Sequence, residues 1–245
     1  MSRIKNTLKE EANNIQAFPT QQSKNKLNLS NIKPITKRQH DAFVAYEASK
    51  NLLMTGSSGT GKTFVAMYLA LREILSDFSP YKKLIIVRST VPTRDIGALP
   101  GDISEKVGVY ELPYHLICAD LFNNDNAYDE LKSKSIISFV TTAFIRGVTF
   151  SDCIVIVDEY QNMHFEEIFS VITRIGKNCK IILSGDSLQT DYLKGQKSGF
   201  KEITRVLNQM SSFEPIRFNV DDVVRSGLVK EFLILYDSMC GEDDV

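Results

Sequence analysis

Three short stretches of this sequence carry residues whose types and order could do chemistry. The first is Asn51-Leu52-Leu53-Met54-Thr55-Gly56-Ser57-Ser58-Gly59-Thr60-Gly61-Lys62-Thr63, which holds the full G-x-x-x-x-G-K-[ST] spacing. Glycines let a backbone wrap an anion, so that successive amide N–H groups face phosphate oxygens. The positive end of a following helix adds to the attraction. An apolar run before this segment and an apolar-periodic run after it supply the strand–loop–helix context that a chance glycine-rich turn lacks. The spacing therefore predicts a cradle for the phosphates of ATP over residues 56–63. Lys62 is expected to reach the β- and γ-phosphates, and the Thr63 hydroxyl to ligate Mg²⁺.

The second stretch, Ile154-Val155-Ile156-Val157-Asp158-Glu159, is an apolar run that ends in two carboxylates. Asp158 is placed to hold Mg²⁺ beside Thr63, directly or through water. Glu159 then faces the phosphate crevice, where it can orient and deprotonate a water. That residue separates reaction classes, because a small-molecule kinase uses its acceptor's hydroxyl and has no need of a water activator. The third stretch is Lys180-Ile181-Ile182-Leu183-Ser184-Gly185-Asp186-Ser187-Leu188-Gln189, an apolar run opening into a polar loop. Gln189 is expected to sense the γ-phosphate. Upstream, Thr36-Lys37-Arg38-Gln39 has two readings: a capping box at a helix start, or a glutamine amide that recognises adenine.

Those residues need elements to hold them. Short β-branched or apolar runs fall at 51–55, 84–88, 136–140, 154–157, 180–184 and 215–218. Helical patterns fall at 37–50, 62–75, 110–122, 165–175, 199–209 and 222–239. Continuous apolar strands are expected where helices cover both faces of a sheet. The alternation predicts an α/β fold: a three-layer P-loop NTPase (RecA-like) with a mostly parallel central sheet. Ligands of such sheets gather outside the carboxyl ends of the strands, so the three polar strand-ends should converge on one crevice.

Composition agrees and adds little. The 245 residues are 43% hydrophobic and 24% charged with a net charge of −1, a globular profile that neither demands nor excludes a nucleic-acid partner. Cys118, Cys153, Cys179 and Cys240 are scattered, and with only His40, His115 and His164 no zinc constellation can be assembled. Reduced thiols in a cytoplasmic compartment are expected, with no membrane span. Residues 1–33 read as a flexible basic tail, either solvated or touching nucleic acid, 34–240 as one ATPase domain, and 241–245 as an acidic fray.

Taken together, the motifs resemble the PhoH family, similar in turn to the first ATPase domain of superfamily 1 helicases. The resemblance runs from about Lys33 to Tyr236. Beyond the two Walker segments it rests on Ile86-Val87-Arg88 with Leu99-Pro100-Gly101-Asp102 and Glu105-Lys106, and on Arg146-Gly147-x-Thr149-Phe150. It also rests on Asp158-Glu159-x-Gln161-Asn162, Thr173-Arg174-Ile175-Gly176, Gly185-Asp186-x-x-Gln189-x-Asp191 and Asp222-Val223-Val224-Arg225. Departures are Ser89 where the family often has Pro, Tyr160 where it has Ala, and Ser226 where it has His. The resemblance implies ATPase activity, work on RNA or single-stranded nucleic acid, and a regulatory link to phosphate starvation.

Two further expectations concern partners. The loop from Ser89 to Asp102, which carries Arg94, is either a contact for a phosphate backbone or a packing loop. The stretch after Gln189 is too short for a second ATPase domain to supply an arginine to the γ-phosphate, so a neighbour is expected to supply it. Arg225, placed by sequence in the first turn of a helix, is the leading candidate and Arg174 the second; the plain alternative for Arg225 is an ion pair within its own chain. A trans arginine implies a closed homo-oligomeric ring, a hexamer by family resemblance. Competing functions are an ATP-driven protein switch without nucleic acid, and a nucleotide kinase.

Overall fold

The computed structural model describes residues 27–89, 103–145, 147–186 and 199–240. The elements in chain order are α1 (Lys37–Glu47), β1 (Asn51–Gly56), α2 (Lys62–Ile74), β2 (Lys83–Arg88), α3 (Ile103–Phe122), α4 (Ala127–Ser133) and β3 (Ile137–Thr141). They continue with β4 (Cys153–Asp158), α5 (Phe165–Ile172), β5 (Cys179–Gly185), α6 (Phe200–Leu207), β6 (Phe213–Phe218) and α7 (Gly227–Cys240). The strands form one six-stranded sheet in the order β3-β2-β4-β5-β1-β6. Every pairing in it is parallel.

The period-2 alternation of a strand divides the core in two. Leu52, Met54, Leu84, Ile86, Ile154 and Ile156 point to one face, where α1, α2, α3 and α4 contribute Phe43, Met67, Leu69, Tyr114 and Tyr128. Leu53, Ile85, Val87, Val155 and Val157 point to the other, with Ile168 and Val171 of α5 and Ile203 and Leu207 of α6. All six residues of β4 are buried, as a central strand covered on both faces must be. The expected three-layer parallel architecture is the one observed.

Several boundaries differ from the sequence reading. α3 starts at Ile103 rather than near residue 110, and it runs through Pro113. α4 was not expected; at seven residues it is too short to display a helical period. The last helix begins at Gly227, not near 222, because Val220–Asp222 forms a separate 3₁₀ turn followed by extended Val223. The flexible tail expected over 1–33 does not extend through 27–33. There Leu27, Leu29 and Ile32 pack against the first core, and Ser30 N–H donates to the Leu121 carbonyl at 2.8 Å. Three apolar residues spaced among polar ones were enough to anchor a segment whose composition looked solvated.

Among the described residues no helix is long and apolar enough to cross a membrane. Cys153 and Cys179 face each other across β4 and β5 as free thiols, with Sγ atoms 3.5 Å apart.

Candidate nucleotide site

The sheet order brings the chemistry together. β5 lies between β1 and β4, with Thr55 opposite Gly185 and Asp158 opposite Ser184. The loop after β1, the acid pair after β4 and the polar end of β5 therefore open on one side of the molecule. They line a cleft of about 1080 Å³.

The loop is held by its own backbone and by neighbours. Gly56 has φ +120°, and a Cβ there would sit 1.8 Å from the Phe218 carbonyl oxygen, so no other residue fits between β1 and β6. Thr60 Oγ1 donates to the Ser57 carbonyl at 2.9 Å. Gln39 Nε2 donates to the Thr60 carbonyl at 3.1 Å, and Val224 N–H to the Gly59 carbonyl at 3.0 Å. Lys62 opens α2 with Gly61 in the left-handed conformation before it. Its ammonium donates to the carbonyls of Gly56 (2.8 Å) and Ser57 (2.7 Å). Burial lowers the Lys62 pKa, and the carboxylates of Asp186, Glu159 and Asp158 work against that fall.

Thr36 caps α1 as the sequence suggested, accepting from Gln39 N–H at 3.3 Å. The reciprocal arm differs. Gln39 Oε1 accepts from Ile35 N–H at 3.0 Å, one residue before the cap, rather than from Thr36. Gln39 lines the cleft, but both ends of its amide are engaged, one on the chain entering α1 and one on the phosphate loop.

Asp158 and Thr63 meet directly: Thr63 Oγ1 donates to Asp158 Oδ1 at 2.9 Å. A hydroxyl and a carboxylate side by side at the phosphate loop are hard oxygen donors. They suit Mg²⁺, which keeps several waters and takes one or two protein ligands plus phosphate oxygens. Tyr114 of α3, fully buried, donates to the other oxygen, Oδ2, at 2.8 Å.

Glu159 follows in the left-handed region, φ 52° and ψ 40°. That conformation costs a non-glycine residue roughly 1–2 kcal/mol. It turns the chain out of β4 into the 3₁₀ turn Tyr160–Asn162, and Glu159 lines the cleft. Gln161 Nε2 donates to Glu159 Oε2, and Gln161 Oε1 accepts from Asp186 N–H at 2.9 Å, so one buried amide links the acid pair to β5. Burial and then the charge of Asp158 push the Glu159 carboxyl above its ordinary range, and Gln161, Arg88 and Lys62 pull it partly back. Tyr160, a departure from the family pattern, is fully buried. It stacks on Phe200 at 4.7 Å and shares a hydrogen bond with Thr204 at 2.9 Å, locking α6 to this turn.

Arg88 ends β2 and lines the same cleft. Burial alone would lower its pKa, but Tyr114, Asp158 and Glu159 more than compensate and the net shift is upward. Arg225 also lines the cleft and is exposed. It lies not in a first helical turn, as expected, but in the connector before α7. Its Cγ stands 2.9 Å from where a Gly59 Cβ would be, so it rests on its own chain's phosphate loop. Arg174 sits elsewhere, after α5, donating to the Ser170 carbonyl and hydroxyl at 2.8 Å. Gln189, Arg94 and Arg146 lie outside the described residues.

The family model for PhoH-like proteins matches residues 31–237. The chain belongs to this PhoH-like family. Curated relatives agree. A PhoH-like protein of Bacillus subtilis is 32% identical over 203 residues, covering 82% of this chain and 63% of its own length. A PhoH-like protein of Synechocystis is 32% identical over 203 residues, with 82% and 61% covered. Protein PhoH of Escherichia coli is 29% identical over 194 residues, with 78% and 54% covered. The PhoH-like chain thus spans between 54% and 63% of the length of these relatives. Among solved structures, one of two coordinating Pif1 helicases unwinding forked double-stranded DNA overlays with a TM-score of 0.38 at 12% identity, covering 76% of this chain and 43% of that one. An overlay that loose decides nothing here. The family and the strand–loop–helix geometry make this a nucleotide-binding P-loop protein.

Tyr114, Arg88 and Gln161 carry site contacts that motif reading did not assign. Arg88 and Gln161 stood inside family motifs without a role. Tyr114 gave no local signal, since its partner is 44 positions away.

Proposed function

We propose that this PhoH-like chain hydrolyses ATP in the presence of Mg²⁺, and that the turnover is coupled to RNA or single-stranded nucleic acid. The observation that carries the ATPase reading is the meeting of Thr63, Asp158 and Glu159 over the phosphate loop in one cleft. In this reading Lys62 exchanges its loop carbonyls for the β- and γ-phosphates. Gln39 holds the loop through the Thr60 carbonyl and is proposed to contact the adenine from the cleft wall. Thr63 and Asp158 would hold Mg²⁺, which when bound would supply positive charge beside the phosphates. Glu159, ionised, takes a proton from a water whose oxygen attacks the γ-phosphorus. The bond to the β–γ bridging oxygen breaks, and ADP leaves with that electron pair. A carboxyl lifted above its ordinary range is a stronger base for this work than a solvated one. Gln189 is proposed to sense the γ-phosphate.

Arg225, resting on Gly59 of its own chain, is proposed to reach the γ-phosphate in cis. Self-assembly into a ring, hexameric by family resemblance, stays in the proposal but not as the source of this arginine. A cytoplasmic setting suits the free thiols at Cys118, Cys153 and Cys179.

Nucleic-acid coupling rests on family resemblance. Its test is turnover with and without a panel of single-stranded RNA and DNA. Strands are expected to raise kcat several-fold, with the effect falling as salt rises. Equal turnover with every strand would leave a nucleic-acid-independent switch as the better reading. A phosphorylated acceptor would point to a kinase.

A further inference from the structure

Asp158 is gripped at both oxygens by donors from two different elements. Thr63, at the start of α2, holds Oδ1 at 2.9 Å, and Tyr114, midway along α3, holds Oδ2 at 2.8 Å. The tyrosine is fully buried, and its ring packs against Phe139 at 5.8 Å. A buried tyrosine hydroxyl seeks a partner, and here that partner is the carboxylate itself. Arg88, at the end of β2, lines the same cleft as Asp158 and Glu159.

With one donor only, an aspartate is free to rotate its carboxylate plane, because that terminal torsion is broad. With two donors, on opposite oxygens and from two different helices, the plane is fixed and Oδ1 is the oxygen turned to Thr63. We propose that Tyr114 is the positioning residue for Asp158, setting the carboxylate so that Oδ1 and the Thr63 hydroxyl present their oxygens together to a nucleotide-bound divalent cation. The assignment rests on the nucleotide–Mg²⁺ reading above. Tyr114 touches neither the nucleotide nor the reacting atoms; it acts through Asp158.

The experiment is binding of a fluorescent ADP, with EDTA and across a Mg²⁺ titration, to wild type, Tyr114→Phe and Phe139→Leu. Tyr114→Phe keeps the ring and removes one hydroxyl. It should bind ADP in EDTA as wild type does, within about twofold, while the Mg²⁺ needed for half of the affinity gain rises about tenfold, the scale of one hydrogen bond to a charged group. Phe139→Leu loosens the packing of the same ring and leaves the hydroxyl, so its Mg²⁺ dependence should match wild type. Tyr114→Phe with a wild-type Mg²⁺ midpoint would overturn the assignment. So would a Phe139→Leu midpoint displaced as far as that of Tyr114→Phe, which would mark a packing role. A wild-type protein whose ADP affinity ignores Mg²⁺ is a different failure, and sinks the underlying nucleotide–Mg²⁺ reading instead.

Discussion

Glu159→Gln should bind ATP with near wild-type affinity and turn it over about 10²–10⁴-fold more slowly, the range that a positioned general base contributes. The amide keeps the size and polarity of the side chain and accepts no proton. The structure adds a signature that sequence alone did not offer. Because burial and the Asp158 charge raise the Glu159 pKa of the free protein, the acid limb of the wild-type kcat/KM profile should lie above the ordinary carboxylate range. The base works only when ionised, so the rate should rise with pH through that raised value and fall below it. Glu159→Gln should lack this limb. Wild-type turnover in the variant, or an acid limb at the pH of a solvated carboxylate, would remove Glu159 from the role.

The second large effect concerns Arg225. Arginines that reach the transferring phosphoryl group are worth roughly 10³–10⁵ in rate, so Arg225→Ala should fall by about that factor. What distinguishes cis from trans is a mixture of Arg225→Ala with Lys62→Ala. With Arg225 seated on Gly59 of its own chain, each damaged site stays damaged, and mixing should restore nothing. Partial recovery would show that the arginine crosses to a neighbour, and the head-to-tail ring would then be its source after all.

The difference between these expectations and the reading from sequence shows where legibility ended. Residues 56–63 and the Asp158–Glu159 pair were readable because strand, loop and helix signals are all local. The parallel sheet was readable because runs such as Ile154 to Val157 leave no polar face. Arg225 was misplaced because Asp221 and Asp222 resemble a helix start, while Asn219 caps a single 3₁₀ turn there and Asp222 accepts from Asn219 N–H and Arg38 N–H across the chain. Tyr114 was invisible because α3 is apolar on more than one side, so nothing in its pattern marks one residue for the site. Its hydroxyl finds Asp158 only once α3 has joined the core on that face of the sheet. The anchoring of 27–33 was likewise a tertiary fact, carried by Leu27, Leu29 and Ile32 against a composition that favours solvent. Gln39 lies between these cases: its helix start was legible, and the turn of its amide toward Ile35 and Thr60 was not.

The reaction proposed for this cleft is hydrolysis of the terminal phosphoanhydride of ATP. The direct measurement is the fate of the γ-phosphate, followed by an isotopic label, with wild-type protein, Mg²⁺ and a single-stranded RNA. The label should appear as inorganic phosphate in step with ADP, and Lys62→Ala should abolish the release. Label that stays in ATP over many hours, or that moves to an acceptor other than water, would contradict it.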